Sequence, residues 1–297
     1  MASIARLQLW PLRACWVVLA LLAVASASGA LADRSTAVAA VLTVLGWLAW
    51  GAGLVAMLVP RSLALTAARL AVPTGALAAS AAAVGGTAGQ GLVAATLLVA
   101  LLTVAVLLAP WTTDAFVDGS SYGPERRIPL RTPVAIAALA VVTWAVVVAG
   151  AVAGPLLLAA HQALAGIPAL VVGWAVAVLG ARSLHQLSRR WLVLVPTGMV
   201  LHDPLTMPEP QLFLRQTMAS LGPAVVDDPA DEGWSIEDLT AGASGLVVEL
   251  ALDEPVELLV LEGRRGTTLR EVDAVRFTPS RPAELFAEGR ARRLPVS

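Results

Sequence analysis

Residues 91–109 read GLVAATLLVALLTVAVLLA, nineteen consecutive positions with no charge, amide or proline. A helix rises about 1.5 Å per residue, so this run nearly matches the ~30 Å hydrocarbon core of a bilayer. An unpaired backbone amide is costly in hydrocarbon, so a segment of this kind must be helical. Five more stretches share the pattern, at residues 14–32, 36–59, 63–84, 133–159 and 164–181. The one at 63–84 is the least apolar, because it carries Arg69 and Pro73 among small residues. Charged residues make up only 14% of the chain, against roughly a quarter in soluble domains, which excludes an ordinary soluble fold. The predicted architecture is an α-helical polytopic membrane bundle of about six transmembrane helices.

The first span has a second reading. Arg6 and Arg13, an apolar run, and Ala30-Leu31-Ala32 before Asp33 also fit a signal peptide with its cleavage site. The run is long for that role and favours an uncleaved anchor; both readings put residue 33 on the outer side. Orientation then follows from arginine placement. With the N-terminus inside, Arg6, Arg13, Arg61, Arg126, Arg127, Arg131, Arg182, Arg189 and Arg190 all lie on inner segments, and Arg34 alone lies outside. Both termini are therefore expected in the cytoplasm. Every basic residue is Arg, and neither Lys nor Asn occurs, which suits a GC-rich bacterial genome and hence a bacterial plasma (inner) membrane. Cys15, the single cysteine, reads as a packed apolar residue.

Ion-coupled transport usually leaves ionisable groups within the spans. Here none contains Asp or Glu, and Arg69 is the lone charge. It either snorkels to the headgroups or turns inward to meet a carboxylate such as Asp114, or a lipid phosphate. Gly150 and Gly154 form a G-x-x-x-G that serves internal packing or contact with a second copy, making a homo-oligomer. Trp47 and Trp50 lie mid-span and suggest packing. His161, His185 and His202 are far apart and read as surface or interfacial residues; no P-loop, nucleophile elbow or metal motif is present. No catalytic residue, cofactor, metal or nucleic-acid partner is expected, and membrane lipids are the obvious surroundings.

At about residue 188 the pattern changes, dividing the chain into a helical domain (1–187) and a β-rich domain (188–297). RWLVLV and MVLHD read as strands around a PTG turn, and QLFLRQTMASLGP supplies another. GLVVELAL and VELLVLEG read as a hairpin turning at Asp253-Glu254-Pro255, and AVRFTP as a last strand. SRPAELFAEGRARRL reads as a helix with Ser280 as N-cap, Pro282 in its first turn and arginines at its end. Residues 191–297 carry nine Arg and seventeen acids, a balance of −8, whereas residues 1–190 balance at +7.

This element order, together with VLVPTGMVLHD and VRFTPSRPAELF, resembles the pleckstrin-homology-like (PH-like) domains of bacterial membrane proteins over about residues 188–295. The whole chain resembles uncharacterised actinobacterial multi-pass membrane proteins with such a C-terminal domain, where loops like FVDGSSYGPERRIPLR also occur. The family has seven strands; five or six can be drawn here, with 219–244 unassigned. The resemblance implies binding of anionic headgroups or of protein segments. An acidic domain is repelled by an anionic leaflet, so contact with a protein partner or with another part of the chain is favoured over lipid.

Two polar segments complete the candidates. VDDPADEGWSIEDL, residues 226–239, fails the calcium-loop pattern and reads as a solvated loop, with Trp234 as a candidate partner contact. Residues 116–133 hold Tyr122, Arg126, Arg127 and Arg131: a topological anchor, or a loop that docks on the acidic domain with Tyr122 at the tip of a turn. The expected function is a non-enzymatic membrane scaffold or adaptor acting through the cytoplasmic domain. The alternative is a transporter without ion coupling, or a lipid-handling protein.

Overall fold

The computed structural model describes residues 8–225, 233–263 and 266–297, so Arg6 and the acids from Asp227 to Glu232 lie outside the described residues. The chain forms two compact units: Met1–Gly119 with Ala140–His185, and Ser120–Leu139 with Gln186–Ser297. A boundary at 187/188 is thus incomplete. The segment between the fourth and fifth spans belongs to the β unit, and the chain passes between the units three times.

Six helices of the first unit are long and apolar enough to cross a membrane: α1 (Trp10–Leu31), α2 (Thr36–Leu58), α3 (Ser62–Gly85), α4 (Gln90–Leu108), α6 (Val134–Ala159) and α7 (Ala163–Leu187). A short helix, α5 (Pro110–Asp118), follows α4. The least apolar span is the most buried. α3 has a mean hydropathy of 1.3 against 2.7 for α4, yet it packs on α1, α2, α4 and α5. In lipid, helices associate through close approach of small residues rather than through apolarity. The inner positions of α3 are mostly alanine (Ala68, Ala71, Ala76, Ala79 and Ala83) with Leu65, Thr66 and Val72, while leucines such as Leu98 and Leu101 of α4 point outward.

Glycines set the closest approaches. A Cβ on Gly75 would come within 2.4 Å of the Trp16 ring and one on Gly53 within 2.9 Å, so these two glycines make the seat of a fully buried tryptophan. Gly150 lies against Gly173 and Gly154 against Leu170, so the G-x-x-x-G of α6 packs on α7 within the chain. Trp144 Nε1 donates to the Leu70 carbonyl (3.3 Å), and Thr66 Oγ1 lies 2.9 Å from His185 Nδ1, tying α6 and α7 to α3.

The second unit has two four-stranded sheets and one helix. In the first sheet, β1 (Arg126–Pro129), β2 (Trp191–Val195), β3 (Gly198–His202) and β4 (Gln211–Leu214) run antiparallel in that order. The second has the order β5 (Met218–Pro223), β7 (Val248–Glu262), β8 (Gly266–Phe277), β6 (Ile236–Asp238), with β6 parallel to β8. A 3₁₀ turn at Arg215–Thr217 breaks QLFLRQTMASLGP into β4 and β5 and carries the chain between sheets. α8 (Pro282–Ala291) follows. Ile128, Leu192, Leu194, Leu201, Phe213, Val248, Leu250, Val275, Phe277 and Leu285 form one core shared by both sheets and α8.

Two expected details differ. Asp253-Glu254-Pro255 is not a turn: β7 continues through it, and four of its residues, 252–255, oppose Asp273 alone on β8. Pro255 has no N–H for the ladder, so the strand bulges there rather than reversing. Ser280 does not cap α8; Arg281 occupies the N-cap position and no side chain caps it, while Pro282 opens the first turn as expected.

Candidate functional site

The polar stretch 116–133 is neither a free loop nor a simple anchor. Its first residues complete α5, with Phe116 and Val117 buried. Gly123 at φ +60° then turns the chain: Glu125 N donates to the Tyr122 carbonyl (3.2 Å), and Tyr122 N donates to Glu125 Oε2 (3.3 Å). Tyr122 stands 85% exposed at the tip, where the turn reading placed it. Beyond it, Arg-Arg-Ile-Pro pairs with β2 in the register Arg126↔Leu194 to Pro129↔Trp191. Ile128 points into the core and is wholly buried.

The three arginines of this insertion have separate tasks. Arg126 is buried and ion-pairs with Glu284 of α8, while Arg292 Nη2 holds the Pro124 carbonyl (2.9 Å). Arg127 stacks 5.7 Å above the Trp191 ring and reaches Glu125 (3.5 Å). The backbone of Arg131 donates to the Thr278 carbonyl (2.8 Å), and its carbonyl accepts from Arg190 Nη1 (2.7 Å). Docking on the β unit is therefore through a strand and α8. Contact with the acidic residues up to Glu232 lies outside the described residues.

A buried clasp closes the base of the β2–β3 hairpin. Arg190 Nε and Nη2 donate to Asp203 Oδ1 and Oδ2 at 2.7 and 2.6 Å, with both side chains at most 1% exposed. Asp203 also accepts from Leu205 N (3.1 Å), and with the bond from Arg190 to the Arg131 carbonyl the clasp locks the inserted segment to the hairpin. Beside it, His202 lies parallel to Trp191, with ring centroids 5.0 Å apart. Its Nδ1 is 2.6 Å from the Arg189 carbonyl, which fits a neutral ring donating there. Burial pushes its pKa below the ordinary value, and the Arg189 guanidinium adds to this; the Arg189 carbonyl and Asp203 oppose it. The result is a half-buried column of Arg127, Trp191 and His202, ending at Arg189 Nη2, 3.4 Å from His202 Nε2.

Sequence reasoning counted Arg189 and Arg190 only as markers of orientation. The missed signal is the hairpin register: a turn at Pro196-Thr197 sets Val195 against Gly198 and Trp191 against His202, and the next pair outward is Arg190 and Asp203. Including the insertion also alters the charge: Ser120–Leu139 with Gln186–Ser297 holds fourteen arginines against eighteen acids, a balance of −4 rather than −8.

The sheet edges are unequal. β5 is covered by the C-terminus, through Leu221 N to the Pro295 carbonyl (2.8 Å) and Ser297 N to the Leu221 carbonyl (3.1 Å). β4 is uncovered among the described residues, with Leu212 (46%) and Leu214 (38%) exposed on alternate positions. Next to it, Pro196, Thr197, Leu214, Arg215 and Gln216 line a shallow cavity of about 210 Å³. Trp234 is half-exposed just before β6, where Ser235 N donates to Asp273 Oδ2 (2.8 Å). In the helical unit, Arg69 finds a hydroxyl: its Nη2 donates to Thr113 Oγ1 of α5 (3.2 Å), one residue before the buried Asp114. A larger cavity of about 380 Å³ opens among α1, α2 and α3. Among the described residues no three His, Cys, Asp or Glu side chains gather in a metal-binding group.

No family model, no curated protein and no solved structure matches this chain.

Proposed function

We propose that this protein is a non-enzymatic scaffold of a bacterial plasma membrane. Its β unit, a PH-like domain on the cytoplasmic side, binds another protein by adding an extended segment to β4. The insertion of β1 carries the reading: a strand from between two spanning helices completes the first sheet, so the domain is built from two separate stretches of the chain. The two sheets and closing helix support the PH-like reading. The donated strand and the parallel β6–β8 pair depart from its pattern of seven strands. Arginine placement supports the cytoplasmic orientation. An uncovered edge with apolar side chains at alternate positions is what strand addition uses: main-chain bonds give affinity and side-chain contacts give selectivity.

Photo-crosslinking amino acids at positions 212 and 214 of the full-length protein, in the membranes of its own cells, test this. The expected product is a discrete protein adduct, lost when Leu214→Arg accompanies the probe at 212. A probe at Leu269, exposed on β8, is the control. Adducts no different from those at 269 would sink the proposal.

Transport without ion coupling, or lipid handling, has one observation in its favour. The cavity among α1, α2 and α3 is almost entirely apolar in its lining, which suits a lipid chain and offers no polar path.

A further inference from the structure

We infer that the cavity among α1, α2 and α3 is a binding slot for one acyl chain of an anionic phospholipid, whose phosphate is held by Arg34. The inference rests on the six helices lying in a bilayer and is independent of the scaffold reading. At about 380 Å³ the cavity is of ligand-pocket size, ~300–1,000 Å³ in general. Its floor is Trp16, fixed by the close approach of Gly53 and Gly75 and by its Nε1 donating to the Trp50 carbonyl (3.0 Å). One wall carries Trp47; the rest is mainly alanine and glycine.

The slot's length fits its occupant. The lining positions on α1 run from Trp16 to Leu31, about 22 Å at 1.5 Å per residue, roughly three quarters of a ~30 Å hydrocarbon core. One leaflet's chain fits that depth. Apolar cavities do not hold water well, and among spanning helices hydrocarbon chains are the abundant filler. Apart from the indole N–H groups of Trp16, Trp47 and Trp50, the polar side chains of the lining are Arg34 and Thr43. Arg34 lies in the α1–α2 turn, at the end of the slot, with an exposed guanidinium that has no ion pair or hydrogen bond among the described residues. A guanidinium at the mouth of an apolar slot selects an anionic headgroup, because its planar fork matches phosphate oxygens.

Gly46 supplies the test. It lines the slot, and a Cβ there meets nothing within 4 Å, so Gly46→Phe can enter the space without displacing backbone. The full-length protein, stripped of lipid in detergent, is titrated with phosphatidylglycerol or phosphatidylcholine and read by native mass spectrometry. Wild type should retain a single phosphatidylglycerol in preference to phosphatidylcholine. Gly46→Phe should bind both about tenfold more weakly, and Arg34→Gln should erase the preference while still holding lipid. As a second readout, dibrominated chains should quench wild-type tryptophan fluorescence more than that of Trp47→Phe. Equal retention by wild type and Gly46→Phe, equal retention of the two lipids by wild type, or quenching indifferent to Trp47 would each overturn the inference.

Discussion

The helical unit and the β unit use apolarity in opposite directions. In α4 most leucines look outward, Leu101 being 70% exposed, while the inner positions of α3 and α4 are mostly alanine and threonine, with Leu65, Val72 and Leu107 beside them. In the β unit Leu192, Leu194 and Leu201 are wholly buried, and the buried charges of Arg190 and Asp203 are paired with each other. The solvent explains the contrast. Lipid is as apolar as leucine, so it gives no reason to hide leucine, and close fit decides helix contacts. Water expels leucine, so alternation fixes the strands, and a buried charge survives only with its partner.

The largest expected effect breaks the water-facing half of this contrast. Asp203→Ala leaves Arg190 buried and uncompensated, and should destabilise the β unit by about 3–5 kcal/mol. Denaturant unfolding followed through Trp191 fluorescence measures it; a loss within experimental error would mean that the clasp is hydrated. The next breaks the lipid-facing half. Gly75→Leu drives a side chain into Trp16 and should cost about 1–3 kcal/mol by overpacking. Leu101→Ala, on the outer face of α4, should shift the same unfolding midpoint in mild detergent far less. If the two variants are reversed in rank, the bundle is packed by leucine after all.

A smaller effect concerns pH. The folded-state pKa of His202 lies below its ordinary value of 6.5, so the unfolded chain takes up a proton first. That contribution to stability is fully present above about pH 6.5 and is lost as pH falls from there to the folded-state pKa. His202→Gln should remove this part of the pH dependence in parallel melts. An identical slope in variant and wild type would show that the ring is solvated.

What could be read from sequence follows the same division. Six spans were legible because a run of twenty apolar residues has few other fates in water or lipid. The centrality of α3 was not, since Arg69, Pro73 and a series of alanines lower its hydropathy for the reason that it faces protein. The β2–β3 hairpin was legible in VLVPTGMVLHD, and its register would have revealed Arg190 opposite Asp203. Asp-Glu-Pro misled because the residues that make turns also make bulges. β1 left almost no local trace: four residues, two of them arginines, whose partner strand begins more than sixty positions later. Non-local pairing of so short a segment leaves no periodicity to detect.

Hydrogen exchange on the full-length protein in detergent tests the insertion most directly. Arg126, Ile128 and Leu130, whose register turns their N–H groups toward β2, should exchange slowly and together with Trp191–Val195, whereas Ser120–Gly123 exchanges fast. Rapid exchange across 126–130, indistinguishable from that of the turn before it, would mean that the strand is not part of the sheet.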